Sequence, residues 1–351
     1  MTGLIRAQLR GLIVSMGVAA TLIGCGGSGS SGADPGAGPS AGATPCPASL
    51  NVGYQIYTFP NGKKAAVWYP TSTAEAAYQY ASDTSSSLAL NGAPTTCARF
   101  PLLVFSHGLG GCGTQSLFFT ETLAREGYVV VAPDHDDAIC RVDGTPPSGA
   151  TVTEPAVTDP GSWTDATYVA RKQDVQVVLD TMLAASPWVA QIDPDRIGLA
   201  GHSLGGYTAL GIAGGWSSWK DPRVKAVLGL SPYLYPFLQK NLLGGVNLPL
   251  MYQGAQFDIF ITPSLKGPSG AYAVAHPPKM LAELFLGSHF EWTNVVCLST
   301  KTIQNCLQTR SNAALINDYA FAFLDRYLKG IDNGLLAGPG TGLRMYEKQV
   351  D

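Results

Sequence analysis

From about residue 100 onward, the chain repeats one arrangement of apolar and polar positions. A short, mostly apolar run is followed by a glycine-rich or polar turn. A longer stretch then places apolar residues three and four apart. The short runs fall at 101–105, 128–132, 196–200, 224–230, 248–253 and 280–286. Mostly apolar runs of that length, continuous at 101–105 and carrying at most one polar residue elsewhere, predict strands buried on both faces. The longer stretches at 115–126, 163–185, 204–213 and 312–328 predict helices, the last of which closes the domain. Upstream, 51–59 and 63–69 predict two strands joined by a turn at Pro60-Asn61-Gly62. Residues 71–99 are polar, rich in Ala and Ser, and read as irregular. Residues 135–162 form a long loop rich in Pro, Gly and Asp, a candidate functional rim. Strands alternating with helices predict an α/β fold with a mostly parallel central sheet covered on both faces. The run at 280–286 is its last strand.

The N-terminus follows a different pattern. Arg6 and Arg10 precede an apolar run at 11–23, too short to cross a bilayer at about 20 residues. Leu22-Ile23-Gly24-Cys25 follows directly and resembles the lipobox of bacterial lipoproteins. That resemblance implies a signal peptide over 1–24 and lipidation of Cys25. It also implies export to the cell envelope, with membrane contact through the lipid alone. Gly26 in place of an aspartate points to the outer membrane. Residues 25–45 carry the lipid site and a Gly/Ser/Ala/Pro tether that cannot bury apolar surface. The folded domain is expected over 46–351.

Seven cysteines fit an exported chain, because setting aside Cys25 leaves an even six. Spacing alone does not determine their pairing. Locality suggests Cys297 with Cys306 across a short C-terminal loop. Cys112 and Cys140 follow two neighbouring predicted strands, which leaves Cys46 with Cys97. The formal charge of −3 and the scattered Lys and Arg give no nucleic-acid footprint. The 46% apolar content is enough for a sizeable core. No Cys or His spacing suggests a metal, and no cofactor is implied. The expected state is a monomer.

Candidate chemistry centres on Gly201-His202-Ser203-Leu204-Gly205, a G-x-S-x-G sequence set between a predicted strand and a predicted helix. A serine hydroxyl needs a base, and the base needs an orienting acid. Among five histidines, His107 and His135 precede the serine and have the wrong chain order. His202 lies inside the elbow and is expected to point elsewhere. His276 and His289 remain. His289 is preferred because it follows the last predicted strand, where ligands meet open α/β sheets. Asp258 follows the preceding strand and supplies the acid. The oxyanion donors are assigned to the backbone N–H of Leu204 and of Leu109, the latter in the loop Ser106-His107-Gly108-Leu109-Gly110-Gly111.

With these motifs in place, residues 50–330 resemble the α/β-hydrolase superfamily. Phe105 to Gly110 and Gly201 to Gly206 are similar to bacterial relatives of platelet-activating-factor acetylhydrolase and dienelactone hydrolase. Ser288-His289-Phe290 also resembles the cutinase-like polyester hydrolases. The chain departs from the latter at Leu109, where an aromatic is common, and at Leu204, where methionine is common. Both departures weigh against polyester cleavage. The resemblance implies an exported serine hydrolase that cleaves a small-molecule or polymeric carboxylic ester through an acyl-enzyme. The residues leave open an acyltransferase or peptidase with the same triad, or a non-catalytic binding lipoprotein on the same scaffold.

Overall fold

A computed structural model describes residues 46–47, 49–146 and 153–351. The expected signal peptide, Cys25 and the tether lie outside the described residues. The chain enters as an antiparallel pair, β1 (Asn51–Thr58) and β2 (Lys64–Thr71), followed by a second pair, β3 (Ala76–Ala81) and β4 (Thr84–Leu90). The alternation predicted from the sequence then begins with β5 (Phe100–Ser106), α1 (Leu117–Arg125), β6 (Val129–Pro133) and α2 (Val169–Ala184). It continues through β7 (Ile192–His202), α3 (Leu204–Leu210), β8 (Val224–Leu230) and a short α4 (Tyr235–Gln239). After β9 (Leu250–Ala255) come two one-turn helices, α5 (Thr262–Leu265) and α6 (Ala271–Val274), and then β10 (Lys279–Leu284). The chain ends through β11 (Lys301–Thr302), α7 (Ile303–Thr309), α8 (Ser311–Leu324) and β12 (Leu343–Gln349).

Strands β6, β5, β7, β8, β9 and β10 lie side by side, all parallel. Strand β2 adds antiparallel beside β6, and β12 antiparallel beside β10. Their side chains alternate between two cores. In β5, Leu102 and Val104 face Val175, Val178, Leu179 and Met182 of α2. Leu103 and Phe105 face Phe118, Phe119 and Leu123 of α1 and Ile316, Phe323 and Leu324 of α8. Burial on both faces explains why these strands read as mostly apolar runs rather than as an alternation of apolar and polar residues. Their shared direction brings every β-to-α turn of the parallel set to the same edge of the sheet.

Three expectations need correction. Residues 71–99 are not irregular throughout, because β3 and β4 lie within them. Small Ala and Ser residues hide the alternation. What holds the hairpin is Tyr78 and Tyr80, both packed on Tyr54, with Trp68 donating through its indole N–H to the Tyr80 hydroxyl at 2.7 Å. The helix expected at 163–185 begins only at Val169. Thr167 Oγ1 takes the N–H of Thr164, and Tyr168 adopts φ +57°, so local side-chain bonding competes with the first turns. Finally, the run at 280–286 is not the last strand, and the helix after it does not close the domain. The edge strand β12 follows, and its Arg344, Glu347 and Lys348 conceal a strand whose charges suit an exposed edge.

All three suggested disulfides are present: Cys46–Cys97, Cys112–Cys140 and Cys297–Cys306. The second joins the turns after β5 and β6, and the third clamps the segment between β10 and α8. Replacing Cys297 and Cys306 together by serine is expected to cost about 2–4 kcal/mol, read as a lowered melting temperature. An unchanged melting temperature would contradict a stabilising role for this bridge.

Candidate active site

The turn from β7 into α3 holds Ser203 at φ 53°, ψ −116°. A non-glycine residue in such a conformation costs roughly 1–3 kcal/mol and must be imposed by its surroundings. Here close backbone packing imposes it. A Cβ on Gly201 would lie 2.1 Å from the Gly205 carbonyl oxygen, and one on Gly205 would lie 1.9 Å from that of Ser106. The turn is also bonded to the neighbouring strand. Ser203 N–H donates to Leu230 O at 3.1 Å, and Tyr233 N–H donates to Ser203 O at 2.9 Å.

Asp258 and His289 come from the turns after β9 and β10. His289 Nδ1 lies 3.0 Å from Asp258 Oδ2, and the carboxylate is almost fully buried. With Nδ1–H spent on the carboxylate, Nε2 is the nitrogen left to accept a proton. Ser231, buried at the end of β8, was not found by sequence reasoning. Its hydroxyl bonds to Asp258 Oδ2 and lies 3.0 Å from His289 Nδ1. Its place on the strand between the elbow strand and the acid strand was the available signal. Ser203 Oγ makes no side-chain hydrogen bond among the described residues. The structure therefore joins Asp258 to His289 but does not bond Ser203 to His289. Such contacts commonly tighten only when substrate is bound. His276 is exposed and precedes β10, at the opposite end of that strand.

The loop after β5 is held from below. Arg171, on α2, is fully buried. It donates from Nε and Nη2 to Asp137 at 2.9 and 2.7 Å, from Nη1 to His107 O at 2.7 Å, and from Nη2 to Gly108 O at 3.2 Å. His107 Nδ1–H and Gly111 N–H also donate to Gly108 O, at 2.7 and 3.0 Å. In a trans peptide the carbonyl and the following N–H point opposite ways. Three donors drawing Gly108 O inward therefore turn Leu109 N–H outward. Neither Leu109 N–H nor Leu204 N–H has a protein acceptor among the described residues.

Beneath this loop Ser106, His135 and Asp174 repeat the serine–histidine–acid arrangement, at 2.8 and 2.9 Å. All three are buried, and Arg171 Nη1 also donates to Ser106 Oγ at 3.3 Å. With no access and an occupied lone pair, this set braces the loop rather than attacking substrate. Burial, reinforced by the Arg171 charge, pushes both His107 and His135 well below the usual histidine range. Burial pushes the Asp174 carboxyl up to about 7. Burial also acts to raise Asp137, but the adjoining guanidinium outweighs it and holds that carboxyl well below the usual range. Chain order had excluded His107 and His135 as bases. Their structural task was not legible.

His202 corrects an expectation, because it does not point away from the site. Its Nε2 lies 2.9 Å from the carbonyl oxygen of His289. Burial, together with the neighbouring His289, lowers it to about 3. Ser203, Leu204 and Leu109 line one cleft of about 560 Å³ with Val157, Thr158, Pro160, Tyr233, Tyr235, Gln239, Phe260 and Ile261. The long loop at 135–162 thus supplies part of the wall.

Comparison with known proteins bears on the fold and on the family resemblance. The family model for platelet-activating factor acetylhydrolase, isoform II, matches residues 71–143, which include the loop after β5 but end before Ser203. A ferulic acid esterase from Streptomyces cinnamoneus superposes with a TM-score of 0.62 at 20% identity, covering 87% of this chain and 98% of that one. The chain has the α/β-hydrolase fold. Among curated relatives, Lipase 1 of Moraxella sp. (strain TA144) is 29% identical over 159 residues, 45% of this chain and 42% of the lipase. Cutinase est2 of Thermobifida alba is 24% identical over 247 residues, 69% of this chain and 65% of the cutinase. The chain thus spans less than two thirds of the length of either relative. These matches bear out the resemblance to platelet-activating-factor acetylhydrolase and to cutinase-like proteins.

Two measurements probe the site's framework. Arg171→Met strands the buried Asp137 charge and is expected to cost about 3–5 kcal/mol in urea unfolding. Adding Asp137→Asn should recover part of the loss, and unchanged stability in the single variant would contradict the bracing role. His202 is neutral when folded but titrates near about 6.5 when unfolded. The stability it carries is therefore complete above that pH and is lost as pH falls toward about 3. The stability advantage of the wild type over His202→Phe should shrink by about 2 kcal/mol between pH 7.5 and pH 5. A constant difference would contradict the depressed value.

Proposed function

We propose that this chain is a serine carboxylic ester hydrolase working through an acyl-enzyme. Ser203 Oγ attacks the ester carbonyl while His289 Nε2 takes its proton. Asp258, hydrogen-bonded to Nδ1, keeps the ring oriented and stabilises the imidazolium that forms. The N–H groups of Leu109 and Leu204 receive the developing oxyanion. His289 returns the proton to the departing alcohol, leaving Ser203 acylated. Water, deprotonated by the same histidine, then releases the acid and restores the serine.

One observation carries this reading. A serine in a strained left-handed turn and a buried aspartate–histidine pair converge at the same end of a parallel sheet. The two unspent amides sit on the turns beside them. The lipase and cutinase among the relatives are consistent with ester hydrolysis. The wall of Tyr233, Tyr235, Phe260, Ile261 and Val157 favours an ester with an apolar acyl or alcohol part. The three disulfides suit an oxidising compartment. With Leu22-Ile23-Gly24-Cys25 they support an exported protein lipidated at Cys25 and tethered to the outer membrane.

Ser203→Ala should lower kcat on p-nitrophenyl esters by about 10⁶, the scale set by comparable triads. His289→Ala should be nearly inactive and His276→Ala close to wild type. Retained turnover in Ser203→Ala, or a reversal of the two histidine variants, would contradict the assignment. Mass spectrometry of the membrane fraction should find an acylated N-terminal Cys25. A wholly soluble, unacylated protein would contradict the anchor.

A further inference from the structure

Three polar contacts run in series between the loop after β5 and the segment that carries His289. Gly108 N–H donates to Gln115 Oε1 at 3.0 Å. Gln115 Nε2 lies 3.0 Å from His202 Nδ1, and His202 Nε2 lies 2.9 Å from His289 O. The chemistry gives the series one direction. A backbone N–H can only donate, so the Gln115 atom facing Gly108 is the carbonyl oxygen and its other end is the amide NH₂. His202 Nδ1 must then accept, which places the ring hydrogen on Nε2, facing a carbonyl that can only accept. Every atom in the series has one role, and a neutral His202 completes it.

The packing around the series is close. A Cβ on Gly108 would lie 2.9 Å from His202 Nδ1, so only glycine lets the ring reach Gln115. The His202 ring lies 4.8 Å from that of His289 and stacks at 24° on Trp292. Gln115 grips the same segment a second time, because its backbone oxygen accepts from Asn294 N–H at 2.8 Å. None of the three hydrogen bonds in the series involves a side chain lining the cleft or a reacting atom. The series instead joins three turns, one carrying the Leu109 amide, one carrying Ser203 next to His202, and one carrying His289.

We propose that Gln115 and His202 are positioning residues that fix the backbone of the general base His289 relative to the oxyanion loop. This rests on the ester hydrolase reading given above. The tie acts on the distance between groups that work together only in the transition state, so its loss should fall on kcat and leave KM nearly unaltered. It is a single series, so breaking it at either point should have the same effect as breaking it at both.

The test is turnover of p-nitrophenyl butyrate by the purified protein, with Ser203→Ala as the blank. His202→Phe keeps an aromatic ring but cannot donate to His289 O. Gln115→Leu breaks the series at a half-buried position, where folding is the lesser risk. Each should lower kcat about 10- to 100-fold with KM within about threefold. The double variant should be no slower than the slower single variant. Nitrogen-15 NMR of histidine-labelled wild type should show His202 as the neutral Nε2–H form from pH 8 to pH 5. Its Nδ1 signal should move in Gln115→Leu. Unchanged kcat in Gln115→Leu, losses that multiply in the double variant, or a protonated His202 at pH 5 would each overturn the tie. A wild type no faster than the Ser203→Ala blank would instead overturn the hydrolase reading beneath it.

Discussion

The closest approach in the catalytic region is between Gly205 and the carbonyl oxygen of Ser106, where a Cβ would fall within 1.9 Å. That contact seats the start of α3 directly on the end of β5. Two consequences follow. The serine between β7 and α3 has no room for a relaxed turn and is driven to a positive φ. The strand it is pressed against is the one whose next residues form the loop bearing Leu109. One steric constraint therefore fixes both the strained serine and its distance from an amide donor. The strain costs roughly 1–3 kcal/mol, which two well-packed cores on either side of the sheet can absorb.

Orientation within that frame is set by polar groups that face away from the cleft. Arg171 spends its donors on Asp137 and on two carbonyls of the oxyanion loop, and His107 and Ser106 complete the support. A buried ion pair of this kind contributes little net stability, because desolvation offsets the attraction. What it supplies is direction, since inward carbonyls oblige the next amide to face outward. On the opposite side, Ser231 and Asp258 hold the imidazole edge of His289 while His202 holds its backbone. The base is thus fixed through its ring and its main chain independently.

Much of this was legible in the sequence, for identifiable reasons. The parallel strands are buried on both faces, so they appear as mostly apolar runs. The turns at Gly201–Gly205 and Ser106–Gly111 need glycine, and glycine is visible. Asp258 and His289 could be ranked because catalytic turns share one end of a parallel sheet. The edges were not legible. β3 and β4 are held by two tyrosines amid alanine and serine, and β12 is masked by its charges. The supporting polar residues were missed for a different reason. Arg171, Gln115 and Ser231 sit on a helix, a turn and a strand end whose local patterns are ordinary. Their roles arise from side chains distant in sequence: Asp137 is 34 positions from Arg171, His202 is 87 from Gln115, and Asp258 is 27 from Ser231. His202 was misread because the elbow pattern gives the serine's direction and not that of the residue before it.

The central claim is that one serine, activated by one histidine, forms a covalent intermediate in this cleft. Reaction of the purified protein with a fluorophosphonate, followed by peptide mass mapping, tests it most directly. The label should appear on Ser203 alone and should be nearly lost in His289→Ala, while the buried Ser106 stays unmodified. Labelling at another serine, or labelling of Ser203 that is indifferent to His289, would contradict the account.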